Sequence, residues 1–303
     1  MIREDLQDKT GFSAAESAVA DHLLQLGAAI RGLSARAIAR QVHTAPSTVV
    51  RLCQRLGFEG YPDFRDAYLD ELRYLSSAFT DIDANHPFTA ADDDASLAGK
   101  LTVLYHETID DTAGLLDPAV LTAAAARIAA ARTVHVFSQG VQADVAADFA
   151  DKMSRIGRQV TVHPLADRGF YTASTLAKED LALAISYSGE TAGTLRAVAM
   201  AARRGAALIA ITSYGRSRLA DLADLVLHVS TRERLVEKLG GYAMSLSTLF
   251  LLDSLYSAVF NLDHDANLRH RTALVHGYEF RRGSTNPVLR DRWSRRDDDA
   301  GTL

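Results

Sequence analysis

Cys53 is the only cysteine in this 303-residue chain. One thiol closes no internal disulfide and builds no cysteine-based zinc site, and it fits a reducing compartment. Positive charge is also in short supply. With 33 Lys and Arg against 38 Asp and Glu the formal net charge is −5, which excludes a protein that coats nucleic acid through a uniformly basic surface. Any such contact has to come from a local patch. No uninterrupted apolar run reaches the ~20 residues of a membrane span. The nearest, 242–262 (YAMSLSTLFLLDSLYSAVFNL), is broken by Asp253 and four serines and reads as a helix buried against protein. The first ten residues, MIREDLQDKT, are too charged for a secretory leader. These absences predict a cytoplasmic protein with no membrane role. What is present, 48% hydrophobic and 23% charged residues, suffices for a real core divided between two domains.

Composition shifts twice along the chain. Residues 1–79 read as helical, rich in Ala, Leu and Arg, and 80–96, with TDIDANHPFTAADDDA, as a solvated linker. From 97 to 280, apolar runs with strand character alternate with helical patterns: TVHVF (133–137), QVTVH (159–163), LALAIS (181–186), ALIAIT (207–212) and LVLHVS (225–230). Continuous apolar runs separated by helix-length segments predict buried parallel strands with crossover helices, an open doubly wound α/β sheet. The last segment, 281–303, carries six arginines followed by three aspartates without periodicity, and reads as a disordered tail or a DNA-touching one.

Residues 34–57, SARAIARQVHTAPSTVVRLCQRLG, predict two short helices with a tight turn between them. Ser34 caps the first, in which Ala37 and Ile38 point inward. Pro46 opens the second, and Gly57 closes it. Helical spacing puts Val49, Leu52, Cys53 and Leu56 on one face and Ser47, Thr48, Arg51 and Arg55 on the other. Between His22 and Phe58 there are five arginines and no Asp or Glu. A second helix with a polar, basic free face is the geometry that enters the major groove of double-stranded DNA. Ser47, Thr48 and Arg51 are the expected base contacts, and Arg36, Arg40 and Arg55 the expected phosphate contacts. The same arginines would also serve as an ordinary solvated face.

The second signal is ISYSGET, 185–191, where an apolar strand runs into hydroxyls and a glycine before a helix. Side-chain donors and free helical N–H groups converge there, which suits a phosphate. Plain N-capping by Ser188 with Glu190 explains only part of the pattern.

Taken with STVVRLCQRLGFEGYPDFR (47–65), FADKMSRIG (149–157) and ALIAIT (207–212), these words resemble the RpiR family of transcriptional regulators. The resemblance implies an all-α helix-turn-helix domain followed by a three-layer α/β SIS (sugar isomerase) domain with a five-stranded parallel sheet. It also implies a homodimer or homotetramer, and a phosphorylated-sugar effector on Ser186, Ser188, Gly189 and Thr191 that modulates operator binding. Two departures stand out. Where the family has a glycine-rich turn ending in serine, this chain has Ser138-Gln139-Gly140-Val141-Gln142, so Ser138, Gly140 and Gln142 are the expected second wall. Ala45 replaces the serine before the recognition-helix proline, which leaves Thr44 as the expected cap.

The rival function is a phosphosugar isomerase or deaminase of the SIS class, which requires a general base near the substrate. Glu233, Glu237 and His163 are available, but each reads more simply as a solvated charge or a sheet-end residue. The expectation is therefore a regulator with no catalytic residue, metal or cofactor. The helix at 242–262, with Leu246, Leu249, Phe250 and Leu252, reads equally well as a dimer contact and as core.

Overall fold

The computed structural model describes residues 2–76, 82–274, 286 and 288. The expected tail at 281–303 therefore lies outside the described residues, apart from two positions. The N-terminal part is all helical: α1 (Ile2–Asp8), α2 (Ala14–Leu26), a 3-10 turn (Gly27–Gly32), α3 (Ala35–Gln41), α4 (Pro46–Arg55) and α5 (Tyr61–Ser76). A reciprocal capping box starts α2, with Ser13 Oγ accepting from Glu16 N at 3.3 Å and Glu16 Oε2 accepting from Ser13 N at 2.8 Å. Leu6, Leu23, Ile38, Leu52, Phe64 and Tyr68 are fully buried together and hold the helices in one core. Sequence periodicity did not announce α1. Its first amides, of Ile2 and Arg3, donate to the Glu71 carboxylate at 2.7 and 2.8 Å, so the cap comes from α5 and not from a neighbour in sequence.

Part of the expected linker is not solvated. Ala84 and Pro87 are buried. Asn85 accepts from Arg234 N at 2.7 Å through its side chain and from Leu239 N at 2.9 Å through its carbonyl, and Arg232 donates to the Ile82 carbonyl at 3.1 Å. This segment lies along the second domain. Asp93 then caps α6 (Asp94–Leu115) by accepting from Ser96 N.

After α6 and α7 (Pro118–Ala130) come β1 (Val134–Ser138), α8 (Val141–Ser154), β2 (Val160–His163), α9 (Ala166–Thr175), β3 (Leu181–Ile185), α10 (Ala192–Arg203), β4 (Ala207–Ser213), α11 (Arg218–Leu222), β5 (Leu225–Val229), α12 (Tyr242–Leu262) and α13 (His264–Leu274). All five strands are parallel, in the order β2-β1-β3-β4-β5. Alternation along the strands sorts the side chains by size. Leu181, Leu183, Ile185, Ile209 and Ile211 pack with helices that include α7, α8 and α12, while Ala182, Ala184, Leu208 and Ala210 meet α9, α10 and α11. Helices on both faces make the three layers.

Among the described residues, α12 is the one unbroken helix long and apolar enough to cross a membrane. Here it is a core helix. Ala243, Leu251, Leu252, Leu255 and Val259 are buried against the sheet and its neighbours, with Leu246, Leu249 and Phe250 half-buried. The chain order turns one way from β1 to β2 and the other way from β3 to β5, so a crevice opens at the carboxyl ends of β1 and β3.

Candidate functional site

The helix-turn-helix pair forms where the sequence placed it. Ser34 Oγ accepts from Ala37 N at 3.2 Å to start α3, and Pro46 occupies the first turn of α4. At the other end Gly57 (φ 87°) lets Phe58 N reach the Cys53 carbonyl at 3.0 Å. Val49, Leu52 and Cys53 are fully buried, and burial pushes the Cys53 thiol up to about 12, so it is a core side chain and not a reactive one. Ser47, Arg51, Arg55, Arg36 and Arg40 are exposed.

Three expectations need correction. Thr48 is only 5% exposed, and its hydroxyl meets that of Thr44 at 3.3 Å, so it belongs to the packed side of α4. Thr44 therefore does not cap the helix; Ala45 stands at that position with no side-chain bond. In α3, Ala39 is buried beside Ile38 while Ala37 is half-exposed. The basic face is also less free than the local count suggests. Glu16, just outside the acid-free window, lies 3.5 Å from Arg51 and 3.6 Å from Arg55, and Arg55 also donates to the Gly11 carbonyl at 2.8 Å. Hydrogen bonding from Ser13, then the charges of Arg55 and Arg51, hold the Glu16 carboxyl below its ordinary range.

At the end of β3 the ISYSGET turn brings two of its hydroxyls together. Ser186 Oγ and Thr191 Oγ1 are 2.8 Å apart, and Ser188 Oγ accepts from Glu190 N at 3.1 Å. Gly189 is required by the close packing. Its φ is 65°, and a Cβ there would lie 2.2 Å from Ser217 Oγ. Thr191 stands at the N-cap of α10 without a side-chain cap bond, and the first-turn amides of Ala192, Gly193 and Thr194 point from the helix start with no intrahelical partner. The second wall is the β1–α8 turn. Gly140 adopts φ 61°. Ser138 and Gln142 are 1% and 6% exposed, and neither the Ser138 hydroxyl nor the Gln142 amide has a hydrogen-bond partner among the described residues. Unsatisfied buried polar groups are rare, and a ligand or ordered water completes their bonding.

Sequence reasoning missed several groups. Thr194, also buried with an unpartnered hydroxyl, lines the crevice with Phe137, Ser138, Gln139, His163 and Gly193. Tyr187, inside the motif, donates to the Glu233 carbonyl at 2.8 Å and accepts from its amide at 3.1 Å, anchoring the turn from below. Glu233 is not a solvated charge. Its buried carboxylate accepts from Ala243 N at 2.6 Å and from Lys238 Nζ at 3.1 Å, so it is used up in starting α12, whereas Glu237 pairs with Arg234 at the surface. The loop after β4 grips the motif from the side: Leu219 N bonds the Gly189 carbonyl at 3.1 Å, and Arg218 bonds Glu190 through its amide at 2.8 Å and its side chain at 2.5 Å. Only the Glu190–Arg218 charge complement was available as a signal in the sequence.

The comparisons with known proteins divide the chain in the same way. The model of the helix-turn-helix domain of the rpiR family matches residues 3–73, and that of the SIS domain matches 127–258. The uncharacterised HTH-type transcriptional regulator TTE0211 of Caldanaerobacter subterraneus subsp. tengcongensis is 27% identical over 261 residues, 86% of this chain and 90% of that protein. A Haemophilus influenzae protein of the same description is 27% identical over 256 residues, 84% and 88% of the two chains. Among solved structures, the Vibrio vulnificus NanR protein complexed with ManNAc-6P superposes with a TM-score of 0.58 at 23% identity, covering 91% of this chain and 98% of that one. The sugar isomerase domain of an RpiR transcription factor from Sphaerobacter thermophilus gives 0.54 at 23% identity over 59% and 98%.

Proposed function

Because this chain belongs to the RpiR family of helix-turn-helix proteins, with a SIS domain behind the helix-turn-helix unit, we propose that it is a transcriptional regulator whose operator binding is modulated by a phosphorylated sugar. Double-stranded DNA meets the exposed polar face of α4, with Ser47 and Arg51 toward base edges and Arg36, Arg40 and Arg55 toward phosphates. The observation that carries the effector half is the crevice between β1 and β3. The hydroxyls of Ser186, Ser188 and Thr191 follow β3 at the open amide end of α10, and the unpartnered Ser138 and Gln142 stand at the end of the neighbouring β1. A dianionic phosphate satisfies donors of this kind, and charge-assisted bonds make it the preferred occupant. The relatives named as transcriptional regulators, and the NanR protein whose structure holds ManNAc-6P, support the same reading.

Regulation, not turnover, is the activity proposed. Glu233 is committed to α12, and Glu237 pairs with Arg234 at the surface, so neither carboxylate is placed as a general base. A single recognition helix reads few base pairs, so the chain acts as a homodimer or homotetramer on paired half-sites, with the half-buried Leu246, Leu249 and Phe250 of α12 offered to the contact.

Calorimetry of the full chain against ManNAc-6P, glucosamine 6-phosphate and fructose 6-phosphate, each beside its unphosphorylated sugar, tests the effector half. A gel shift on the promoter region upstream of its own gene tests the other half. Binding restricted to phosphorylated forms, together with a shift altered by the same compounds, is expected. Equal binding of free sugars, or no shift at any salt concentration, overturns the reading.

A further inference from the structure

Beside the turn that follows β3, one wall of the crevice is made by His163 at the end of β2, together with Ser138, Gly193 and Thr194. Behind it runs a hydrogen-bonded chain along the face of the sheet turned to α9. Asp180, just before β3, is held by Arg132 through two bonds of 3.0 and 2.8 Å. The same carboxylate meets Thr133 Oγ1 at 2.8 Å, Thr133 Oγ1 meets His135 Nε2 at 3.0 Å, and His135 Nδ1 meets His163 Nε2 at 3.0 Å.

The directions of these bonds follow from the one member that cannot donate. The Arg132 ion pair, before the amide of Ala177 and the Thr133 hydroxyl, keeps Asp180 ionised with its carboxyl at about 2, so it only accepts. Thr133 must therefore give its single proton to Asp180, and its oxygen is left to accept from His135. That places the proton of His135 on Nε2. Burial lowers His135 and lowers His163 to about 4, so both rings are neutral at pH 7, and His135 Nδ1 carries a lone pair. It accepts from His163 Nε2, and the remaining nitrogen of His163, Nδ1, is bare. Nδ1 has no hydrogen-bond partner among the described residues, and Phe137 stacks on the ring at 5.2 Å and fixes its plane.

We propose that Asp180, Thr133 and His135 are positioning residues that fix the tautomer of His163, and that its bare Nδ1 is the acceptor by which the crevice selects an effector with a hydroxyl or amide N–H on its sugar ring. This inference rests on the phosphosugar reading and refines it. A fixed acceptor rewards a neutral donor and disfavours a carboxylate, whose lone pairs would face the nitrogen lone pair in a partly desolvated site. Phosphate recognition and sugar recognition thereby fall on different residues. Ser186, Ser188 and Thr191 hold the charge, and His163 reads the ring.

Two measurements on the full chain test this. Long-range 1H–15N correlation of histidine-labelled protein is expected to show His163 with a protonated Nε2 and a bare Nδ1, and Thr133→Val is expected to convert it to a tautomer mixture. In calorimetry, Thr133→Val is expected to weaken ManNAc-6P, glucosamine 6-phosphate or fructose 6-phosphate roughly tenfold, to leave inorganic phosphate unchanged, and to be rescued by Thr133→Ser. A wild-type tautomer mixture, or equal losses for the sugar phosphates and inorganic phosphate, overturns the inference while leaving the effector reading standing. A wild-type chain that binds none of the sugar phosphates overturns both.

Discussion

Arg216 Nη1 donates to the carbonyl of Gly57 at 2.7 Å, so the loop after β4 holds the residue that ends the recognition helix. The guanidinium also reaches the Leu56 carbonyl at 3.4 Å and lies over the Phe58 ring at 5.8 Å from its centre. A cation suits the carbonyl end of a helix. The neighbours of Arg216 in sequence, Ser217 and Arg218, are the residues packed on Gly189 and bonded to Glu190. Three consecutive residues thus connect the turn after β3 to the end of α4.

Replacing Arg216 with alanine is expected to separate the two activities. Operator affinity and effector affinity should each stay within a few fold of wild type. The effect of one on the other, which for an allosteric protein is about 5- to 150-fold, should collapse toward one. Gel shifts with and without the effector measure it, and a fully retained effect would show that the coupling runs elsewhere.

Ser188→Ala should weaken a phosphorylated sugar by roughly ten- to a hundredfold, the cost of one charge-assisted bond. The fold should be retained, because Ser188 makes only a local bond to Glu190 N. Calorimetry alongside a thermal melt distinguishes a lost contact from a damaged domain.

On the DNA side, Arg51→Ala should relax sequence preference and cost ~1–3 kcal/mol if its contact is bidentate to guanine. Thr48→Val should leave preference unchanged because that side chain is buried. Glu16→Gln is the more telling variant. It keeps an acceptor for Ser13 N while releasing Arg51 and Arg55 from a carboxylate, so nonspecific affinity and the slope of log K against log salt should both rise. Filter binding across a salt series reads this directly.

Acid should find the histidine pair first. The folded protein holds His163 at about 4, below its ordinary 6.5, because burial disfavours the charged ring. The unfolded chain therefore takes up the proton first, and stability contributed by the neutral ring is lost as pH falls from 6.5 toward 4. Asp180, lowered to about 2 by Arg132, gives way only in a later window below its ordinary 3.8. Melting temperature against pH should show these as two separate declines, and His163→Gln should flatten the first.

Much of this was legible in the sequence because it rests on local patterns. Five apolar runs became five strands with boundaries within about two residues, and Ser34, Pro46 and Gly57 marked helix ends through their own backbone chemistry. Thr48 was misplaced because a polar residue on the rim of a helical face can turn either way, and the neighbour that decided it, Thr44, lies across a turn. The Glu16 pairing, the Glu71 cap on α1 and the Asp180–His163 chain bring together residues 35 to 69 positions apart, except for the Thr133–His135 and His135–His163 bonds, and no periodicity encodes such meetings. Linker composition misled for a related reason. Asn and Pro are loop residues, but a loop can still be bonded down along its length, as Asn85 is.

The sorting of side chains across the sheet sets opposite tolerances at adjacent positions. Along β3, Leu183 fills the deep layer toward α12, while Ala184 lies under the closely set α9 and α10. Trimming Leu183 leaves a void and costs ~2–5 kcal/mol; enlarging Ala184 forces the helices apart, at ~1–3 kcal/mol or more. Exchanging the two residues would preserve total volume and still wreck the domain. In any randomised library, survivors at 183 would be screened for bulk and survivors at 184 for smallness, so that a size profile read along one strand would disclose which helices it faces.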